Sequence, residues 1–121
     1  MPDSYYTLSR DKIYKILVDK KNFVLKLLKN NIVIKTYPIA IGKPATPTPT
    51  GKYKIINKAY KPGGPFGERW LGLSIPGYGI HGTNNPSSIG KAVSNGCIRT
   101  FNENIIELYN TVPLGTTVEI F

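Results

Sequence analysis

Ile13-Tyr14-Lys15-Ile16-Leu17-Val18-Asp19-Lys20-Lys21-Asn22-Phe23-Val24-Leu25-Lys26-Leu27-Leu28 admits two readings, and the choice between them decides the fold. Taken as part of one basic amphipathic helix over residues 11–29, it would lie on a membrane surface. Taken as two strands joined by the polar link Asp19-Lys20-Lys21-Asn22, it opens a β-sheet. The strand reading is the stronger one. β-Branched and aromatic residues are dense, the polar cluster interrupts the run, and the apolar positions do not hold a 3.6-residue period. Asn30-Asn31 supplies a second turn, because Asn tolerates the positive φ that tight turns need, and Ile32–Tyr37 completes a three-stranded meander.

The pattern continues outward from this meander. Pro44-Ala45-Thr46-Pro47-Thr48-Pro49-Thr50-Gly51 cannot be a central strand, since its prolines remove ladder donors and fix φ, and it reads as an extended surface loop. Strand character resumes over Lys52–Ala59. Tyr60–Arg69, with Pro62-Gly63-Gly64-Pro65 and Gly67, reads as a long loop beside a site. Trp70–Ile75 and Tyr78–His81 are the next strands, divided by Pro76-Gly77. Only one segment predicts a helix. Thr100-Phe101-Asn102-Glu103 matches a capping box, Ile105, Ile106, Leu108 and Tyr109 provide an apolar face, and Val112-Pro113 stops the run. Thr116–Phe121 predicts a last strand. Short strands between Gly/Pro turns and one main helix imply a mainly β sandwich or barrel-like domain.

The 121 residues suit one domain over 1–121, and 40% hydrophobic content is too rich for a disordered chain. No apolar run reaches the roughly 20 residues of a membrane span, so stable membrane insertion is not expected. Met1-Pro2-Asp3-Ser4-Tyr5-Tyr6 lacks the basic and apolar regions of a secretory signal. The net charge of +9 is unevenly placed. Residues 1–61 hold thirteen basic side chains against three acidic ones, and residues 62–121 hold three against four. A lysine-dominated face attracts polyanions, although it also serves simply to keep a small protein soluble. Nucleic acid is not the expected partner, because only three Arg are present and no aromatic stacking platform is visible.

The chemistry lies in the other half. The single cysteine, Cys97, stands in Ser94-Asn95-Gly96-Cys97-Ile98-Arg99, sixteen positions after the single histidine, His81, in Tyr78-Gly79-Ile80-His81-Gly82-Thr83. A thiol needs a base to become a nucleophile, and an imidazole can take its proton and later return one to a leaving group. If His81 ends one strand and Cys97 begins a neighbouring one, the two come within hydrogen-bond reach. Backbone N–H groups at Gly96 and Cys97 are candidates for an oxyanion hole. Ser94 is a candidate to orient the site, Arg99 to hold a carboxylate, and the Gly82 carbonyl to fix the His81 tautomer. Asn95 and Tyr78 complete the candidate substrate-binding set. One His and one Cys fall short of the three or four ligands zinc requires, so no metal site is expected. Against catalysis stands the alternative that both residues are merely packed, as lone Cys and His often are.

His81-Gly82-Thr83, Ser94-Asn95-Gly96-Cys97-Ile98-Arg99 and the upstream Thr46-Pro47-Thr48-Pro49-Thr50-Gly51-Lys52-Tyr53 together resemble the L,D-transpeptidase catalytic domain of the YkuD type, over about Ile13 to Ile120. Many members carry His directly before the Gly-Cys pair, where this chain has Asn95. The resemblance implies a mostly β fold and attack by Cys97 on a peptidoglycan stem tetrapeptide. It further implies release of D-alanine, a thioester, and resolution by an acceptor amine to form 3→3 cross-links or related wall attachments. It also implies acylation by carbapenems, no cofactor, and a place in the cell envelope, where anionic wall polymers would meet the basic half; separately, a monomer is expected. A sortase would share the Cys/His/Arg set but calls for a TLxTC-like segment and a more distant Arg. A non-catalytic wall-binding module on the same fold is the alternative from another class.

Overall fold

A computed structural model describes residues 13–121. The helix alternative over residues 11–29 begins outside this span and the reading of Met1–Tyr6 lies wholly outside it, but the segment that decides between strand and helix lies inside it. Tyr14–Asp19 is β1 and Val24–Lys29 is β2, paired antiparallel with Asp19 opposite Val24. The Asp19 carboxylate accepts from the backbone and side-chain N–H groups of Asn22, which pins the link between them. Asn30 and Asn31 have φ of 52° and 65°, the left-handed pair that a two-residue hairpin demands. Burial alternates along these strands, with Ile16 and Val18 in β1 and Leu25 and Leu27 in β2 facing the core.

The third strand, β3 (Ile32–Gly42), runs five residues beyond its expected end at Tyr37 and passes through Pro38. The proline is tolerated because the strand changes partner there. Residues up to Pro38 pair with β2, and Ile39 and Ala40 pair with Ile98–Thr100 (β8). The remaining strands are β4 (Gly51–Tyr60), β5 (Arg69–Leu73), β6 (Gly79–His81), β7 (Ala92–Ser94) and β9 (Thr117–Ile120). Together they form one nine-stranded sheet in the order β2-β1-β9-β4-β5-β6-β8-β3-β7, and the additional β2–β3 pairing closes it into a barrel. Closure settles the choice left open between sandwich and barrel, and it removes the free edges of all but the appended β7.

Among the described residues one α-helix is present, α1 (Asn102–Thr111), which packs on β5 and β6 through Ile105 and Leu108. Its expected capping box does not form. Phe101 is the N-cap without a side-chain bond, while Thr100 ends β8 and its hydroxyl donates to the Pro38 carbonyl at 3.0 Å. At the other end Lys58 Nζ donates to the carbonyls of Tyr109 and Val112 at 2.7 and 2.6 Å, placing a cation at the negative end of the helix. Pro113 follows and prevents continuation. No helix among the described residues is long and apolar enough to cross a membrane.

The consequence for the site lies in one pairing. Strands β6 and β8 are parallel neighbours, with Ile80 opposite Ile98 and His81 opposite Arg99. A parallel pair requires a crossover, and residues 82–97 supply it, with a 3-10 turn at Pro86–Ser88 and β7 on the way.

Candidate active site

His81 is the last residue of β6 and is buried, 3% exposed. Its ring stacks on Trp70, directly opposite on β5, with centroids 5.6 Å apart and planes 14° from parallel. Phe66, from the Gly/Pro-rich loop 61–68, meets both rings edge-on, at 5.1 Å from His81 and 5.4 Å from Trp70. The Nδ1 atom of His81 lies 2.5 Å from the Gly82 carbonyl oxygen. A carbonyl only accepts, so Nδ1 carries the proton and Nε2 holds the free lone pair.

Cys97 is half-buried and sits one residue before β8 rather than inside it. Its loop is tightly cross-bonded. Ser94 Oγ donates to the Cys97 carbonyl at 2.6 Å and accepts from the Gly96 N–H at 3.1 Å. The Gly96 carbonyl in turn accepts from Thr48 Oγ1 at 2.7 Å, and Thr48 Oγ1 accepts from the Gly42 N–H at 2.9 Å. Gly96 has φ of 122°, and a Cβ there would stand 2.5 Å from the Tyr78 ring. Only glycine meets both conditions. Tyr78, a candidate for substrate binding, thus backs the loop of Cys97, while Asn95 is exposed beside it.

A cleft of about 270 Å³ is lined by Pro65, Phe66, Gly77, His81, Ser94, Asn95, Cys97 and Arg99. The cleft therefore gathers five sequence-chosen positions, His81, Ser94, Asn95, Cys97 and Arg99, with Gly82 beside His81 and with Gly96 and Tyr78 behind Cys97. A larger cleft of about 450 Å³, between β1 and the end of α1, holds neither Cys97 nor His81. Two expectations need correction. The Gly96 N–H is not free for an oxyanion, because Ser94 Oγ already takes it. The Cys97 thiol donates to the Gly77 carbonyl at 3.7 Å, not to the imidazole.

Burial pushes the Cys97 thiol upward in pKa, opposed by the Gly79 backbone amide and the Arg99 charge. Burial also lowers His81 to about 4, with Arg99 adding to the lowering and the Gly82 carbonyl opposing it. The resting pair is accordingly neutral thiol and neutral imidazole, not thiolate and imidazolium. Arg99 has no carboxylate partner among the described residues, where the ion pairs are Lys15–Glu119 and Lys35–Glu107. No group of three or more His, Cys, Asp or Glu among the described residues is arranged to hold a metal.

Sequence reasoning did not find Trp70, Phe66, Thr48 or Asn102. The signal for Thr48 was its place in the Pro/Thr loop. Asn102 was hidden inside the apparent capping box. Trp70 follows from register, once β5 is paired with β6.

The closed barrel carries Cys97 and His81 on one cleft, and residues 13–120 match the L,D-transpeptidase catalytic domain of the YkuD type. The chain belongs to that family. It is 60% identical over 107 residues to YkuD of Bacillus subtilis (strain 168), an alignment covering 88% of this chain and 65% of that relative's length. Among solved structures it superposes on the NMR structure of the catalytic domain of the Enterococcus faecium L,D-transpeptidase with a TM-score of 0.77 and 31% identity, covering 89% of this chain and 96% of that one. It also superposes on the Ldtfm-avibactam carbamoyl enzyme with a TM-score of 0.79 and 31% identity, covering 91% and 49% of the two chains.

Proposed function

We propose that this chain is one catalytic domain that works as a monomer in the cell envelope, joining peptidoglycan stem peptides through a Cys97 thioester. The carrying observation is that Cys97 and a His81 with its tautomer fixed line a single cleft. Family membership and the carbamoylated neighbour support the same reading.

The charges set the order of events. Because thiol and imidazole both rest neutral, Cys97 loses its proton to His81 Nε2 as sulfur attacks, rather than beforehand. The sulfur adds to the carbonyl that follows the diamino acid at position three of a tetrapeptide. The Cys97 N–H is the donor left to face the oxyanion, since the Gly96 N–H is engaged. His81 then passes its proton to the amine of the departing D-alanine, leaving a thioester. An acceptor amine gives its proton to His81 and displaces the sulfur, which takes that proton back as the neutral thiol, producing a 3→3 cross-link or an attachment to a wall protein, and water in its place gives a carboxypeptidase. Arg99, with its charge unpaired among the described residues, anchors a substrate carboxylate.

The basic half supports a second contact, with anionic wall polymers. Lys20, Lys21 and Lys43 line a cleft of about 320 Å³ beside the Pro/Thr loop. Binding to isolated walls is expected to weaken steeply with salt.

Incubation with disaccharide-tetrapeptides followed by muropeptide separation tests the reaction. Cross-linked dimers and free D-alanine are the expected products, and both should vanish in Cys97→Ala. An unchanged substrate, together with no carbapenem adduct on Cys97 by mass spectrometry, would leave only the wall-binding alternative.

A further inference from the structure

The His81 side of the cleft is held by a side chain that touches neither reacting group. Asn102 opens α1, and its amide faces away from the helix end. Its Oδ1 accepts from the Thr83 N–H at 3.1 Å and from the Glu68 N–H at 3.2 Å, and its Nδ2 donates to the Thr83 carbonyl at 3.0 Å. Asn102 thus engages both backbone groups of Thr83, as a neighbouring β-strand would, and joins them to the Gly/Pro-rich loop that carries Phe66. Thr83 itself is buried. The approach is close. A Cβ on Gly82 would stand 2.1 Å from Asn102 Oδ1, and one on Gly67 would stand 2.3 Å from it. Glycine at both positions is what admits the amide.

The bonded backbone is the one that orients the base. Gly82, whose carbonyl accepts the His81 Nδ1 proton, precedes Thr83 and is held from the other side by its own N–H donating to the Arg69 carbonyl at 3.2 Å. Fixing both groups of Thr83 fixes the peptide plane that presents the Gly82 oxygen. Fixing Glu68 fixes the C-terminal end of the loop that lays Phe66 on the imidazole.

We propose that Asn102 is a positioning residue. It clamps the Gly82-Thr83 turn to the Phe66 loop, so that the Gly82 carbonyl holds His81 in the Nδ1-protonated tautomer with Nε2 available. The proposal rests on His81 being the base of the reaction, but its first readout does not. His81 is the only histidine in the chain, so its ring resonances are unambiguous.

Nitrogen-proton correlation spectra of the wild-type ring are expected to show a single Nδ1-protonated tautomer between pH 5.5 and 8. Asn102→Asp keeps the acceptor and the size but loses the donor to Thr83. Asn102→Ala loses both. In each the ring should become a mixture of tautomers, with its titration midpoint moved toward the ordinary histidine value, and carbapenem acylation should slow roughly tenfold or more. A variant that is folded by circular dichroism and has an unchanged His81 ring overturns the proposal. A changed ring with unchanged acylation upholds the clamp and refutes His81 as base. Where the variants do not fold, hydrogen exchange in the wild type decides. The Asn102 side-chain amide and the Thr83 N–H should be protected, and exchange of both at the rate of free amides overturns the proposal.

Discussion

The hydroxyl of Thr48 donates to the carbonyl of Gly96, the residue before Cys97, at 2.7 Å, and it is itself held by the N–H of Gly42. The Pro/Thr loop is thereby a brace for the cysteine's loop. Thr48 is 2% exposed, so Thr48→Val strands a buried donor and a buried acceptor without changing shape much. The expected cost is about 1–3 kcal/mol in urea unfolding. Carbapenem acylation should slow beyond what the lost stability explains, and Thr48→Ser should restore both. Equal behaviour of Val and Ser would remove the brace from the account.

Gly96→Ala combines an unfavourable φ with a Cβ placed against the Tyr78 ring. A loss of about 1–3 kcal/mol is expected from backbone strain alone. Acylation of Cys97 should fall sharply even where the protein stays folded. Tyr78→Ala in the same background relieves the clash but not the strain, so only partial recovery is expected from thermal unfolding of the pair.

Stability should depend on pH through His81. Its folded-state value of about 4 lies below the ordinary 6.5, so between these values the unfolded chain binds the proton more readily. The stabilisation is complete above about pH 6.5 and is lost as pH falls toward 4, reaching about 2 kcal/mol by pH 5. Urea midpoints at pH 7.5 and 5 should differ accordingly in the wild type and much less in His81→Gln. Equal pH slopes for the two proteins would contradict it.

Acylation and simple alkylation should separate. Burial raises the Cys97 thiol, so iodoacetamide is expected to react slowly at pH 7 and faster as pH climbs through the thiol range. Carbapenem acylation, driven by neutral His81, should instead be near its plateau by pH 6 and fall only toward pH 4. His81→Gln should abolish the second and spare the first. Parallel pH profiles for both reagents would mean that free thiolate, not the imidazole, controls the chemistry.

Strand and turn positions were legible where the local physics is strong. The polar Asp19–Asn22 link and the Asn30-Asn31 pair each force a reversal, and the density of β-branched and aromatic residues on either side needs no tertiary context to read as strand. What could not be read depends on which of several competing partners a hydrogen-bonding group takes in the folded chain. Thr100 has the residue type of a cap, but β3 competes for its hydroxyl through the Pro38 carbonyl, and tertiary pairing wins. The Gly96 N–H looks free in sequence, yet Ser94 folds back on it, a local bond set by the positive φ of Gly96. Tyr37 reads as a strand end because Pro38 follows, although a switch of partner strand lets the chain continue. Cys97 and His81 were identifiable by chemistry. The residues that hold them, Asn102, Thr48 and Trp70, lie on a helix, a loop and a neighbouring strand whose contacts with them exist only once the sheet is assembled.

His81 closes β6 and Cys97 immediately precedes β8, its parallel neighbour, with His81 in register with Arg99, while the crossover between them runs largely through exposed residues such as Asn84, Asn85, Pro86 and Ser87. The count of sixteen between the two is then incidental. Extra residues grafted at that tip would leave imidazole and sulfur where they are, so a search for distant kin should hold the ladder register constant and let the gap vary.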